Sequence, residues 1–175
     1  MREKVLIGGD TCTSKTMSLI QLAITYPNSR VVILDPEDGV EKALAELGFD
    51  NYIYLTPDMA LGLNYQPIAR DNLPNLTIIP VTPDWDILIK MYKMIKPSLL
   101  EQDWFCFDML GLFWDFSQNY YSRMVFGQSP SEHLIALRTQ ARAVNFGGFD
   151  GLTDWSTIKR MHNEELVDSA VRWSK

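Results

Sequence analysis

The chain has few of the residues that build disulfide or zinc sites. Its 175 residues include two cysteines, Cys12 and Cys106, and two histidines, His133 and His162. Two cysteines make no disulfide framework at this length, and neither histidine has a partner at metal-ligand spacing. A reducing cytoplasm is therefore the expected setting, and no zinc centre is expected. No apolar run approaches the ~18 residues of a membrane span. Met1-Arg2-Glu3-Lys4 leads straight into a short apolar run with no signal-peptide character. Basic residues are outnumbered, 16 against 22 acidic, for a formal net charge of -6, which argues against a surface that coats nucleic acid broadly but leaves room for a local basic groove. There is no G-x-S-x-G elbow of a serine hydrolase, no internal repeat and no low-complexity segment.

What is present is an ordinary globular mix, 46% hydrophobic and 22% charged, enough to bury the core of one domain spanning 1–175. Short apolar runs alternate with helix-like stretches. Val5–Ile7, Arg30–Leu34, Tyr52–Leu55, Leu76–Val81 and Trp104–Phe107 read as strands, mostly of the buried parallel kind. Met17–Tyr26 and Val40–Leu47 read as helices, the first ended by Pro27-Asn28 and the second by Gly48. A third helix is expected from Thr82, as N-cap before Pro83, to about Ile95, where Pro97 stops it. Residues 58–75 carry Pro67, Pro74 and several asparagines and receive no element. From Leu112 the chain turns helical: Phe113, Phe116, Tyr120 and Met124 share one face, Gly127 closes that helix, and Ser131–Val144 and Asp154 to about Trp173 follow. Strands alternating with helices predict an α/β fold of three layers, a mostly parallel sheet flanked by helices. The strand-containing core is expected at about 4–110, with a helical part at about 111–175.

The most informative stretch is Gly8-Gly9-Asp10-Thr11-Cys12-Thr13-Ser14-Lys15-Thr16, set between the first expected strand and the first helix. Strand, glycine-containing loop, Lys-Thr and helix is the layout of a P-loop, G-x-x-x-x-G-K-[ST]. Gly9, Lys15 and Thr16 fit it; Ser14 stands where the second glycine belongs. Phosphates need several converging N–H donors and a cation, and a loop running into a helix N-terminus supplies both. On this reading Gly9, Asp10, Thr11, Cys12, Thr13, Ser14, Lys15 and Thr16 cradle ATP. Lys15 reaches the β- and γ-phosphates, and the Thr16 hydroxyl ligates Mg²⁺. Serine at position 14 is small enough to fit in an ordinary backbone conformation, whereas a left-handed one costs it more than glycine. The bland alternative is a strand-turn-helix corner with a surface lysine.

Trp104-Phe105-Cys106-Phe107-Asp108 meets the requirement of a Walker B strand, a buried apolar run with a carboxylate emerging beside the phosphates to hold Mg²⁺. Any buried strand that ends in a turn aspartate gives the same pattern.

Val31-Val32-Ile33-Leu34-Asp35-Pro36-Glu37, directly after the first helix, narrows the reading further. With Lys15, Thr16 and Asp108 it resembles the RecA-like branch of P-loop ATPases, over roughly residues 4–110 and with a variant Walker A motif. In that family the strand after the P-loop helix ends in two acids one residue apart, the second a glutamate that orients the attacking water. The resemblance gives Glu37 that catalytic role beside Lys15, and leaves Asp35, at the strand tip, as its competitor. The alternative is a solvated acidic turn in which Asp38 or Gly39 caps the next helix. Asp108–Asp115, Gln118, Tyr120, Tyr121 and Phe126-Gly127 are similar to the AAA or RecA-like ATPases of tailed bacteriophages. The resemblance implies an ATPase of phage recombination, replication or repair in the host cytoplasm, with single-stranded DNA and further copies of the chain as partners. It also implies later strands that the segment from Gly147 to Lys175 does not show, as expected of either a truncated core or a minimal version of it.

Four rival readings stay open: part of a packaging motor, a helicase, a nucleoside or small-molecule phosphotransferase, and a non-hydrolysing assembly module. The phosphotransferase needs an arginine-rich lid, and residues 58–75 contain only Arg70. Lys90, Lys93 and Lys96 suit a solvated helix face better than a nucleic-acid contact. Arg138, Arg142, Lys159 and Arg160 form a candidate basic patch or trans-acting finger. The aromatic residues from Phe113 to Phe126 suit a core or subunit interface better than base stacking.

Overall fold

Apolar segments too short to be helices pair side by side in the computed structural model. It describes Val5, Ile7 and residues 15–48, 53–54, 75–143 and 151–167. The strands are β1 (Val31–Asp35), β2 (Ile53–Tyr54), β3 (Leu76–Pro80) and β4 (Trp104–Phe107). They form one sheet in the order β2-β3-β1-β4, with every pairing parallel. Ile33 of β1 faces Ile78 on β3 and Cys106 on β4. All five residues of β1 are buried, as a central parallel strand covered on both faces requires.

Helices lie on both faces of this small sheet. On one, Ile20 and Ala23 of α1 (Lys15–Thr25) and Val40 and Leu44 of α2 (Gly39–Glu46) join Val31, Ile33, Leu76, Ile78 and Cys106 in one core cluster. Residues i and i+2 of a strand share a face, so Phe105 and Phe107 point to the other side. There they meet Tyr92 of α3 (Trp85–Ile95), with ring centroids 5.4 and 6.1 Å apart. Trp85, Leu88, Ile89 and Met91 bury the rest of the inner face of α3.

Two departures from the sequence-based expectations concern termini. Asp84, rather than Thr82, caps α3: its backbone is extended and its carboxylate accepts from the Ile87 amide at 3.1 Å. The aspartate one residue beyond Pro83 reaches the free amides; Thr82 lies too far back. The expected first strand is not seen at its two described residues, since Val5 is 68% and Ile7 39% exposed and neither is in a strand. Among the described residues β4 is therefore an outer strand, and its residues are mostly half-buried.

Two polar clips fix the edge of the sheet where β1 begins. Asn75 donates from its side-chain amide to the carbonyls of Ala23, Tyr26 and Ser29, at 3.0, 3.1 and 3.0 Å. These are carbonyls that the end of α1 and the following turn leave without helical partners. Asp103 accepts from the Arg30 and Leu100 amides at 2.9 and 2.8 Å and pairs with the Arg30 guanidinium, which also donates to the Ser98 carbonyl.

The chain divides into two compact units, Met1–Leu110 and Gly111–Lys175. The second is helical: α4 (Leu110–Phe126, its first residue in the first unit), α5 (Pro130–Ala143), α6 (Gly151–His162) and a π-helical turn at Asn163–Val167. Gly127 takes φ 69° after α4, a left-handed C-terminal stop. A capping box opens α5: the Glu132 carboxylate accepts from the Ser129 amide at 2.8 Å, and the Ser129 hydroxyl accepts from the Glu132 amide at 3.3 Å. Across that corner the rings of Phe126 and His133 stack, with centroids 3.8 Å apart. Trp114 stacks on Trp155 of α6 and meets His162 edge-on. The expected aromatic face of α4 holds for its first half, where Phe113 and Phe116 are buried, but Met124 is 69% exposed.

Replacing Asn75 by alanine removes its donor from three carbonyls, of which Tyr26 O keeps the Ser29 amide at 3.0 Å. It is expected to lower unfolding stability by roughly 1–3 kcal/mol in urea titration. Asn75→Asp, which points acceptors at acceptors, should lose more. Burial pushes the pKa of His162 below its ordinary value. The unfolded chain thus takes up that proton first, and stability falls as pH drops below about 6.5. His162→Gln is expected to flatten this part of the pH–stability profile.

Candidate functional site

In a parallel sheet all strand ends of one kind lie along one edge, and here the carboxyl-terminal edge gathers the polar residues. The Asp108 amide donates to Leu34 O at 3.0 Å, which extends the β1–β4 ladder one step past Leu34 and Phe107. The Val81 amide donates to Asp35 O at 3.1 Å on the other side. Asp35 and Asp108 therefore stand at adjacent strand tips, both buried, at 1% and 4% exposure.

Helix α1 begins at the same edge. The hydroxyl of Thr16, its second residue, donates to Asp108 Oδ2 at 2.8 Å, across 92 positions of sequence. Burial raises the Asp108 carboxyl above its ordinary pKa, and the negative charge of Asp35 adds to this. The Thr16 hydroxyl, the Met109 amide and the Lys15 charge act in the opposite direction. Met109 adopts φ 56°, a left-handed conformation that costs a side-chain-bearing residue roughly 1 kcal/mol. Lys15, Thr16 and Asp108 are thus brought together.

Asp35 has another task. One carboxylate oxygen accepts from the Glu37 amide at 3.1 Å and the other from the Val40 amide at 2.8 Å. It does the capping expected of Asp38 or Gly39. Asp38 sits at the N-cap position of α2 in a left-handed conformation, with no side-chain hydrogen bond to the helix. Gly39 lies against the cluster, since a β-carbon there would be 3.9 Å from Asp108 Oδ2. Glu37 is exposed on this turn. Sequence reasoning missed the capping role; its signal was an aspartate five residues ahead of the first buried helical residue, Val40.

Gly9, Asp10, Thr11, Cys12, Thr13 and Ser14 lie outside the described residues. Among the described residues no three His, Cys, Asp or Glu side chains cluster as a self-sufficient metal site. A hydroxyl and a carboxylate are nonetheless suitable hard donors for Mg²⁺, which commonly takes one or two protein oxygens and completes its shell with phosphate and water. Cys106 is buried behind Asp108 and its thiol is pushed up to about 12, so it is no nucleophile at neutral pH. Lys90 and Lys93 are exposed, and Lys96 lies 5.6 Å from the Tyr92 ring centre, an ordinary solvated face. In the helical unit Lys159 and Arg160 are exposed, and Arg160 pairs loosely with Glu164 at 4.0 Å. The side chains of Arg138 and Arg142 lie outside the described set.

Compared with protein-family models, with curated proteins and with solved structures, the chain has no match. No described helix is long and apolar enough to cross a membrane.

Asp108 is a buried carboxylate whose folded form holds its proton more tightly than the unfolded chain. The native state is therefore penalised at neutral pH, and the penalty is relieved as pH falls through the folded-state pKa. Asp108→Asn keeps an acceptor for Thr16 and removes the charge. It is expected to raise the urea midpoint of the nucleotide-free protein, by on the order of 1 kcal/mol. A lower midpoint would show that the charge stabilises the fold.

Proposed function

We propose that the protein binds ATP with Mg²⁺ at the carboxyl-terminal edge of its sheet and hydrolyses it, as a P-loop ATPase of RecA-like type. One observation carries the reading. The hydroxyl directly after Lys15 meets, 92 positions later, the aspartate that ends an apolar strand. A chance strand-turn-helix corner has no need to bring these two side chains together, whereas a shared divalent ion does. Open parallel sheets also take their ligands at this edge.

In this reading the amides of residues 9–16 and the Lys15 ammonium hold the phosphates. Thr16 and Asp108 hold Mg²⁺, which screens phosphate charge when bound. Their mutual hydrogen bond keeps both oxygens at one point before the ion arrives. Glu37, on the neighbouring turn, accepts a hydrogen bond from the attacking water and aligns it with the γ-phosphate. The biological setting follows from resemblance: phage recombination, replication or repair, with single-stranded DNA as ligand and a homo-oligomer as working form.

The test measures ATP binding and turnover with and without Mg²⁺ and single-stranded DNA, in the parent and in Lys15→Ala. The parent is expected to bind and turn over ATP only with Mg²⁺. Lys15→Ala should lose at least about tenfold in affinity, the loss of one charge-assisted phosphate contact. A variant that binds ATP as the parent does refutes the reading. Binding without turnover supports the assembly module instead, and turnover stimulated by nucleosides rather than DNA supports a phosphotransferase.

A further inference from the structure

Asp35, the last residue of β1, and Glu37, two residues beyond it, compete for one role in the sequence and are unlike in the structure. Asp35 is 1% exposed, and each of its carboxylate oxygens is held by a backbone amide, Glu37 on one side and Val40 on the other. Glu37 is exposed. A carboxylate enclosed in this way neither reaches a water nor leaves its amides without breaking the start of α2. We infer that Asp35 is a positioning residue: it clamps the turn from Pro36 to Val40 and thereby fixes the backbone that carries Glu37. This rests on the ATPase reading above and assigns Asp35 a role within it.

The turn needs a clamp for a physical reason. Asp38 occupies the left-handed region at φ 56°, which for a residue other than glycine costs roughly 1 kcal/mol. Left to itself, the segment would relax toward ordinary backbone angles and carry Glu37 with it. Pro36 restricts one torsion only. The Val40 amide, which has no intrahelical acceptor in the first turn of α2, donates to Asp35, and the Glu37 amide closes an Asx-type turn on the same side chain. One buried side chain thus fixes both the glutamate and the first turn of the helix. Gly39, between them, abuts Asp108. A water-aligning group is sensitive to such support, since ~1 Å of misplacement costs on the order of 100-fold in rate.

The experiment compares parent, Asp35→Ala, Asp35→Asn, Glu37→Gln and the double variant Asp35→Ala/Glu37→Gln. It reads kcat and KM for ATP with Mg²⁺, together with amide hydrogen exchange at Glu37 and Val40. Asp35→Ala is expected to lower kcat by about tenfold or more with KM within about threefold of the parent, because the phosphate contacts lie elsewhere. Asp35→Asn keeps one acceptor oxygen and should recover part of the rate. If alanine does not fold, that variant carries the comparison. Both amides should exchange faster in Asp35→Ala, and at least one of them in Asp35→Asn, whose side chain keeps a single acceptor. The double variant should be no slower than Glu37→Gln alone, because Asp35 acts through Glu37. Parent-like kcat in a folded Asp35→Ala, losses that multiply in the double variant, or unchanged exchange at both amides overturns the assignment and leaves the ATPase reading standing. A parent with no turnover refutes that reading and the assignment with it.

Discussion

The hydrogen bond from Thr16 to Asp108 ties the start of α1 to the end of β4, and the candidate site depends on it. Each side of the contact is placed by different forces. Ile20 and Ala23 bury one face of α1 against the sheet and so fix the helix axis. Tyr92, Phe105 and Phe107 hold β4 from the opposite face. The parallel arrangement then leaves Asp108 at the edge where α1 begins. The carboxylate is buried at a cost in solvation that its neighbours only partly offset, since burial and Asp35 still outweigh Thr16, Met109 and Lys15 in setting its pKa. A fold selected for stability alone has little reason to keep such a group. On the proposed reading a bound cation would supply the missing counter-charge.

Much of this was legible in the sequence because it rests on short-range pattern. A buried central strand is a continuous apolar run, and β1, β3 and β4 fall within a residue of the expected limits. Glycines past helix ends mark left-handed stops, and Gly48 and Gly127 both have positive φ. The Lys15-Thr16 pair and Asp108 could be matched by motif although 92 positions separate Thr16 from Asp108. The RecA-like likeness, by contrast, finds no match among known proteins, and the sheet described is small: three full strands and a two-residue β2.

Other features were hidden because they depend on tertiary competition. Thr82, Asp84 and Asp38 are all acceptable caps by residue type. Which one acts is decided by where the chain turns, and at α2 the winner is Asp35, outside the usual cap window. Val5 and Ile7 have the composition of a strand, yet at those residues the chain is exposed and unpaired in the sheet. Composition alone does not decide whether such residues pair. The aromatic periodicity of α4 likewise promised a continuous buried face, but burial stops before Met124. Periodicity gives the direction of a face without the extent of what covers it.

The two strand-tip carboxylates divide their labour through the partners they keep. Both oxygens of Asp35 are occupied by backbone amides, which cannot move without unwinding the first turn of α2. Asp108 is held by the Met109 amide and by a hydroxyl, a rotatable group that donates one hydrogen and keeps lone pairs of its own. Thr16 can therefore turn its hydrogen away and offer oxygen alongside Asp108 at little structural cost. Asp35 cannot make a comparable exchange. Adjacent acids of like charge thereby become unequal, one built into the fold and one free to change partner. Only the second kind can exchange a protein hydrogen bond for another partner, which is why the proposed reading assigns the ligand to Asp108 and the scaffold to Asp35.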